Sequence, residues 1–248
     1  PPPAEPPAPK RDTRAEAGAA LGVTRGRVQQ AKALAKARPD LAEQVASGDL
    51  SIREARGQAR QAKKRETAAR IDAEPTPSPK GPFRVIVADP PWKYEKRVDD
   101  ITHRARLPYP EMDTAAICAL PVGAMAHEDC ILWLWTTNAF MRDAYAVLDA
   151  WGFRERTILT WVKDRMGTGD WLRGKTEHCI LAIRGRPTVC LTNQTTVIPG
   201  PVREHSRKPN EFYALVEALC PGSKVELFSR ETRKGWGSWG AEVGTFNA

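Results

Sequence analysis

The sequence predicts an α/β fold with a largely parallel sheet, preceded by a small all-α domain. Three observations carry this. From residue 83 onward, short runs rich in β-branched residues alternate with segments of helical period, the pattern of βαβ units. From residue 13 to 72 the apolar spacing is helical throughout. Between the two, residues 73–82 contain four prolines, which make a semi-rigid, extended linker.

Taken in order, residues 1–12 begin with a proline and alanine tract that cannot build a core and read as a disordered tail. A short helix over 14–20 ends at Gly22, where φ can turn positive. Thr24 caps a helix that runs to about Arg38 and stops before Pro39. Val28, Ala31, Leu34 and Ala35 share one face of it, with Arg25, Arg27, Gln29, Gln30 and Lys32 around the other. Asp40 caps a third helix, and Ser51 with Glu54 forms a capping box that opens a fourth. A helix, a glycine turn and a helix rich in Arg and Gln make a helix-turn-helix layout, since those side chains suit base edges and phosphates. The stretch from about 13 to 60 resembles the helix-turn-helix of ParB-like partition proteins. The layout and its side-chain types make Thr24, Arg25, Arg27, Gln29 and Gln30 the DNA-contact candidates. A small helical bundle that packs on the catalytic domain or on a partner is the plainer alternative.

Charge points the same way. The first 80 residues hold 16 Lys and Arg against 10 Asp and Glu, whereas the remainder holds 22 against 20. A basic front end on a nearly balanced body suits a polyanion such as nucleic acid. The five cysteines are odd in number and never spaced C-x-x-C, which argues for reduced thiols and against a zinc site, so no metal is expected. No apolar run approaches about eighteen residues and no signal-peptide pattern is present, so the expectation is a cytoplasmic protein without membrane partners.

In the second domain, strands are predicted near 83–88, 131–136, 157–163, 179–184 and 224–228, and helices near 113–119, 138–150 and 210–220. The polar stretches 93–110 and 164–176 are long for loops in a compact domain and are expected to be functional or disordered. The stretch Val85-Ile86-Val87-Ala88-Asp89-Pro90-Pro91-Trp92 organises the domain. Its apolar half is a buried strand, and the prolines end it, since neither donates a ladder hydrogen bond. Asp89 is thereby left at the carboxyl end of a core strand, where open α/β sheets bind ligands. A carboxylate, a rigid carbonyl-bearing turn and a flat aromatic are the parts needed to grip an amino group on a flat ring.

Further segments extend the pattern: Leu107-Pro108-Tyr109, Ile131 to Trp135, Trp151-Gly152-Phe153, Trp161-Val162-Lys163, and Gly174-Lys175 with Glu177-His178-Cys179. His205 to Pro209, Glu226 to Arg230, and Trp236 to Gly240 close it. As an ordered set from about Phe83 to Val243, these resemble the adenine-N6 methyltransferase family that includes the catalytic subunit of the eukaryotic messenger-RNA adenosine methyltransferase. The resemblance implies a Rossmann-like methyltransferase domain over 83–248 and S-adenosylmethionine as cofactor. No G-x-G loop follows a strand, so the cofactor rests on the resemblance alone.

Carried over by position, Asp89 and Pro90 would hold the target amine, with Pro91 completing the catalytic motif and Trp92 lining the base pocket, where its flat ring suits stacking on a flipped base. Tyr109 corresponds to a mobile tyrosine between base and cofactor, and Glu177 to a substrate-pocket acid. Lys208 corresponds to the lysine that meets the cofactor carboxylate, and Glu226 and Arg230 to the acid and arginine around its ribose. Many relatives carry Gly-Asn near the end where this chain has Gly240-Ala241-Glu242, which removes one side-chain bond to the cofactor. The expected activity is methylation of adenine N6 in DNA. An RNA adenosine methyltransferase, or a DNA-binding regulator with a vestigial domain, is the alternative, and a homo- or heterodimer stays open.

Overall fold

The computed structural model describes residues 20, 22–73, 79–94, 111–167, 171–190, 193–203, 207–240 and 243. The chain divides into two compact units between Glu66 and Thr67. This division lies within a helix, a few residues before the proline-rich linker expected at 73–82. The tail at 1–12, the helix at 14–19 and Tyr109 lie outside the described residues, as does most of the 93–110 loop.

In the first unit, α1 spans Arg25–Ala37, α2 spans Pro39–Ala46 and α3 begins at Ile52 and runs to Ala73. Thr24 caps α1 as expected, its side chain accepting from the Arg27 amide. Only Val28 and Leu34 of the expected α1 face are buried; Ala31 and Ala35 are exposed. The short alanine side chains do not reach the small core, in which Leu34, Leu41 and Ala55 meet. The cap of α2 also differs from expectation. Arg38 is the N-cap and Pro39 takes the first turn, where its missing N–H costs nothing. Asp40 instead forms a two-pronged ion pair with the Arg38 guanidinium, at 2.9 and 2.6 Å. The Ser51 and Glu54 capping box is formed in both directions.

The second unit is a seven-stranded sheet of order β5-β3-β4-β2-β1-β6-β7. Its strands are β1 Phe83–Ala88, β2 Ala126–Thr136, β3 Arg154–Lys163, β4 Thr176–Arg184, β5 Val197–Gly200, β6 Lys224–Leu227 and β7 Trp236–Trp239. Helices α4 Thr114–Cys118, α5 Val122–Met125, α6 Met141–Trp151 and α7 Asn210–Leu219 complete it. Four strand pairs are parallel, and β4 alone runs antiparallel to both its neighbours, β2 and β3. β5 and β7 are additions to the five expected strands. Each is four residues long at a sheet edge, and the turn-forming Pro199, Gly200 and Gly237 hide them from a propensity reading.

Alternation along the strands produces two cores. Ile86, Ala88, Leu132, Leu134 and Leu227 face α6, which presents Ala144, Val147, Leu148 and Trp151 at helical spacing. Val85, Val87, Trp133, Trp135 and Trp161 face the other way, onto Phe212, Tyr213 and Val216 of α7. A central strand buried on both faces needs apolar residues at every position, as β1 has from Val85 to Ala88. The result is helix, sheet and helix in three layers.

Candidate active site

β1 lies between β2 and β6, so its carboxyl end opens at the middle of the sheet edge. Asp89 emerges there. The turn after it is pinned by backbone bonds: the Trp92 amide donates to the Pro90 carbonyl at 2.9 Å and the Met112 amide to the Pro91 carbonyl at 2.8 Å. With φ fixed at both prolines, the carbonyl directions are set before any ligand arrives.

The reversed strand β4 supplies the second acid. Because β4 runs against β2 and β3, its amino end lies beside their carboxyl ends, with His178 opposite Thr136 and Glu177 opposite Trp161. Glu177 therefore reaches the same sheet edge as Asp89, although it opens its strand. Lys208, just before Pro209 and α7, donates to both: 2.9 Å to Asp89 and 2.9 Å to Glu177. The other oxygen of Glu177 accepts from Lys163, at the end of β3, at 2.5 Å. The four side chains form an alternating chain, Lys163–Glu177–Lys208–Asp89.

Lys208 is 6% exposed and its ammonium lies 4.9 Å from the centre of the Trp135 ring. Burial opposes its charge, but the Asp89 and Glu177 carboxylates outweigh that and raise its pKa above the ordinary lysine value. Burial likewise opposes ionisation of Glu177. Lys208 and Lys163 together reverse that effect and hold it down at about 2. Beside it, burial lowers the pKa of His178, whose ring bridges Asn138 at 2.7 Å and Thr160 at 3.1 Å.

A cleft next to this chain is lined by Asp89, Lys208, Tyr213, Glu226, Phe228 and Arg230, among others. Glu226 is 6% exposed; the Tyr213 hydroxyl donates to it at 2.6 Å and Ser229 at 3.4 Å. Burial is the largest influence and raises its pKa. Phe228 adopts φ of 62°, a left-handed conformation uncommon for a bulky residue, at the point where the chain leaves β6. Gly240 permits the close approach that holds this turn: a Cβ there would lie 2.8 Å from both the nitrogen and the oxygen of Ser229.

The sequence-predicted residues thus separate. Asp89, Pro90, Glu177, Lys208, Glu226 and Arg230 lie at or near one sheet edge. Trp92 requires a correction. It is 5% exposed, stacked on Phe140 at 5.5 Å, and bonded through its indole N–H to the Trp135 carbonyl at 3.2 Å. Its ring is used by the core and braces the turn, so it is not presented for stacking on a base. Tyr109 lies outside the described residues, as do Ala241 and Glu242. Sequence reasoning missed the part Lys163 plays, because a lysine ending an edge-side strand gives no sign of its partner. It also missed Tyr213, whose helical spacing reads as core, and Tyr94, whose hydroxyl meets Thr137 at 3.1 Å. Burial raises the Tyr94 pKa.

The metal-type ligands His127, Glu128 and Asp129 form the one such group among the described residues. They sit at the opposite, amino end of β2, where His127 meets Arg84 and Asp129 accepts from the Arg186 amide. The buried thiols are poor nucleophiles, since burial pushes Cys130 up to about 12 and Cys220 to about 11.

A three-layer α/β unit with a carboxylate at the end of its central strand and a cleft alongside is of the Rossmann-like methyltransferase type. Residues 83–242 match the MT-A70 family, and the chain belongs to it. MT-A70 methyltransferases use S-adenosylmethionine. The chain is 39% identical over 174 residues to a putative N(6)-adenosine-methyltransferase MT-A70-like of Medicago truncatula, covering 66% of this chain and 27% of that protein. It is 35% identical over 162 residues to the human N(6)-adenosine-methyltransferase catalytic subunit METTL3, covering 60% and 26%. To the type II methyltransferase M.MunI of Mycoplasma sp it is 28% identical over 185 residues, covering 66% and 79%. The chain thus spans about a quarter of the length of the plant and human relatives, but most of the length of M.MunI.

The cleft fits the cofactor chemically. Lys208 has three N–H donors and spends two on Asp89 and Glu177, which leaves one for a carboxylate. Glu226 retains acceptor capacity for hydroxyls beyond its two bonds, and Phe228 supplies an aromatic wall.

Proposed function

We propose that this chain is an S-adenosylmethionine-dependent methyltransferase that modifies the N6 amine of adenine in DNA. The observation that carries the chemistry is Asp89, held at the carboxyl end of the central strand by Lys208 beside two proline-fixed carbonyls. An adenine amine is a weak nucleophile because its lone pair is delocalised into the ring. Asp89 and the Pro90 carbonyl accept its N–H bonds and so turn the lone pair out of conjugation. Lys208 fixes one carboxylate oxygen of Asp89, leaving the other to the amine. When bound, S-adenosylmethionine would supply an electrophilic methyl group on a sulfonium whose leaving form is a neutral thioether, with Lys208, Glu226 and Phe228 the residues that would hold it. As the new N–C bond forms, the surplus proton passes to Asp89 or to water. Catalysis is mostly positioning and preorganised electrostatics.

The choice of DNA is supported by two features. Arg25, Arg27 and Gln29 are exposed on α1, with Gln30 half-buried and Thr24 at its cap, in the basic portion of the chain. The first 80 residues also carry 16 Lys and Arg against 10 Asp and Glu, a charge balance that suits a polyanion. The names of the plant and human relatives favour RNA as the second reading.

The test is methyl transfer from labelled S-adenosylmethionine to duplex DNA, single-stranded DNA and RNA, with products digested to nucleosides for mass spectrometry. N6-methyldeoxyadenosine is expected. Asp89→Ala should reduce turnover by about 10²–10³-fold or more, with cofactor binding retained. Methylation confined to RNA would transfer the mechanism to the second reading. Full activity in the Asp89 variant would overturn the mechanism itself.

A further inference from the structure

A second cleft, of about 350 Å³, shares Lys163 with the ion chain that runs through Glu177 to Asp89. It is lined by Lys163, Arg165, Met166, Gly167, Val202 and Arg203. Two polar ties join its walls: the Arg165 guanidinium donates to the Val202 carbonyl at 3.3 Å, and Asp164 accepts from the Val202 amide at 2.9 Å. Three of the six lining residues are cations. The carboxylates around them are already shared: Glu177 between Lys163 and Lys208, and Glu231 among Arg203, Arg207 and Arg233. Asp164 meets Arg165 only at 3.9 Å, and the Arg165 side chain is 70% exposed. The wall therefore carries more positive than negative charge, and Arg165 holds a guanidinium toward solvent.

Lys163 belongs to both the cleft and the ion chain that ends on Asp89. Each contact in that chain is under 3 Å, which places Lys163 within roughly 10 Å of the amine-holding carboxylate. At about 3.4 Å of rise per nucleotide on one strand, this is the reach of one to three nucleotides.

We infer that this cleft binds a backbone phosphate of the substrate strand, one to three nucleotides from the target adenine, with Arg165 as its principal contact. The inference rests on the reading of the chain as a nucleic-acid methyltransferase. Glu177 and Lys163 act as the spacer that sets the distance from base to phosphate. Arg203 is locked to Glu231 and to the Lys208 carbonyl, and so shapes the cleft wall.

The experiment measures binding of fluorescein-labelled, adenine-containing oligonucleotides (duplex DNA, single-stranded DNA and RNA) to the full chain with S-adenosylmethionine, from about 50 to 200 mM NaCl. Arg165→Gln keeps an N–H for the Val202 carbonyl but removes the charge. Loss of one phosphate contact should lower the slope of log affinity against log salt by about 0.9 on duplex or about 0.7 on a single strand. Near 0.1 M salt this corresponds to roughly eightfold or fivefold weaker binding. S-adenosylmethionine affinity should be unchanged, and Arg186→Gln, exposed at the opposite sheet edge, should leave the slope intact. An unchanged slope in Arg165→Gln, or an equal change in Arg186→Gln, would overturn the inference. So would weakened cofactor binding in Arg165→Gln, because the effect would then be structural. Wild-type methyl transfer, measured in parallel, reports separately on the proposed reaction. If that is absent while the slope shift is present, the phosphate site stands and the reaction does not.

Discussion

Two glutamates a short distance apart in the fold take opposite electrostatic characters. Glu177, at the start of β4, and Glu226, on β6, are both withdrawn from solvent. Burial alone would raise both, and it does raise Glu226, whose partners are the neutral hydroxyls of Tyr213 and Ser229. Glu177 is gripped by two lysines and is driven down to about 2. The character of a buried acid here is decided by its neighbours. One acid is a fixed negative charge that orders the lysine on Asp89, and the other is a hydrogen-bond acceptor whose charge burial disfavours, on the wall of the neighbouring cleft.

The largest effect on this contrast should come from removing the shared cation. Lys208→Met leaves Asp89 and Glu177 without their common partner and should cost about 3–5 kcal/mol, read from the urea midpoint. A loss under about 1 kcal/mol would show that the ion chain is ornamental to the fold. Glu177→Gln should cost about 2 kcal/mol, since two charge-assisted bonds weaken while the shape is kept.

The pH dependence separates the two acids further. Glu177 has a depressed folded pKa, so its contribution is fully present above its ordinary value of about 4.5 and is lost as pH falls toward about 2. Stability should therefore decline across that window in the wild type and much less in Glu177→Gln. Glu226 has a raised folded pKa, so its contribution has the opposite sign. It is complete below the ordinary carboxylate value and fades as pH rises through the folded one.

Gly240→Ala tests the cleft from the backbone side. The added carbon meets Ser229 backbone atoms and should cost about 1–3 kcal/mol while weakening cofactor binding. The smallest effect is expected for Glu226→Gln, within about 1 kcal/mol, with the variant gaining on the wild type as pH rises from the ordinary carboxylate value through the folded one. A variant that loses ground on the wild type over that rise would show that Glu226 is held by opposite charge as Glu177 is, and the contrast would fail.

Much of this was legible in the sequence. The continuous apolar run Val85–Ala88 can only be a strand covered on both faces, and the two prolines after Asp89 can only end it. The position of the principal carboxylate therefore followed from local rules. The caps at Thr24 and Ser51 were likewise local and formed as expected, whereas Asp40 found its partner in Arg38. Trp92 shows the limit of reading residue types in a row. An aromatic three positions after a strand-end carboxylate suits a base pocket equally well as a core, and Phe140, 48 positions away, claims it.

The sequence by itself determined the alternation of strands and helices, the end of β1 at Asp89 and the ordered segments that mark the family. Period, β-branching and proline geometry act within a few residues, so they can be read in one dimension. Only the tertiary structure decided that β4 runs backwards and so carries Glu177 to the edge where Asp89 waits. It alone placed Lys208 between them and made Lys163 the far end of their chain. Those contacts span 14 to 119 positions of sequence, and a Coulombic partner leaves no periodic trace in the chain that supplies it.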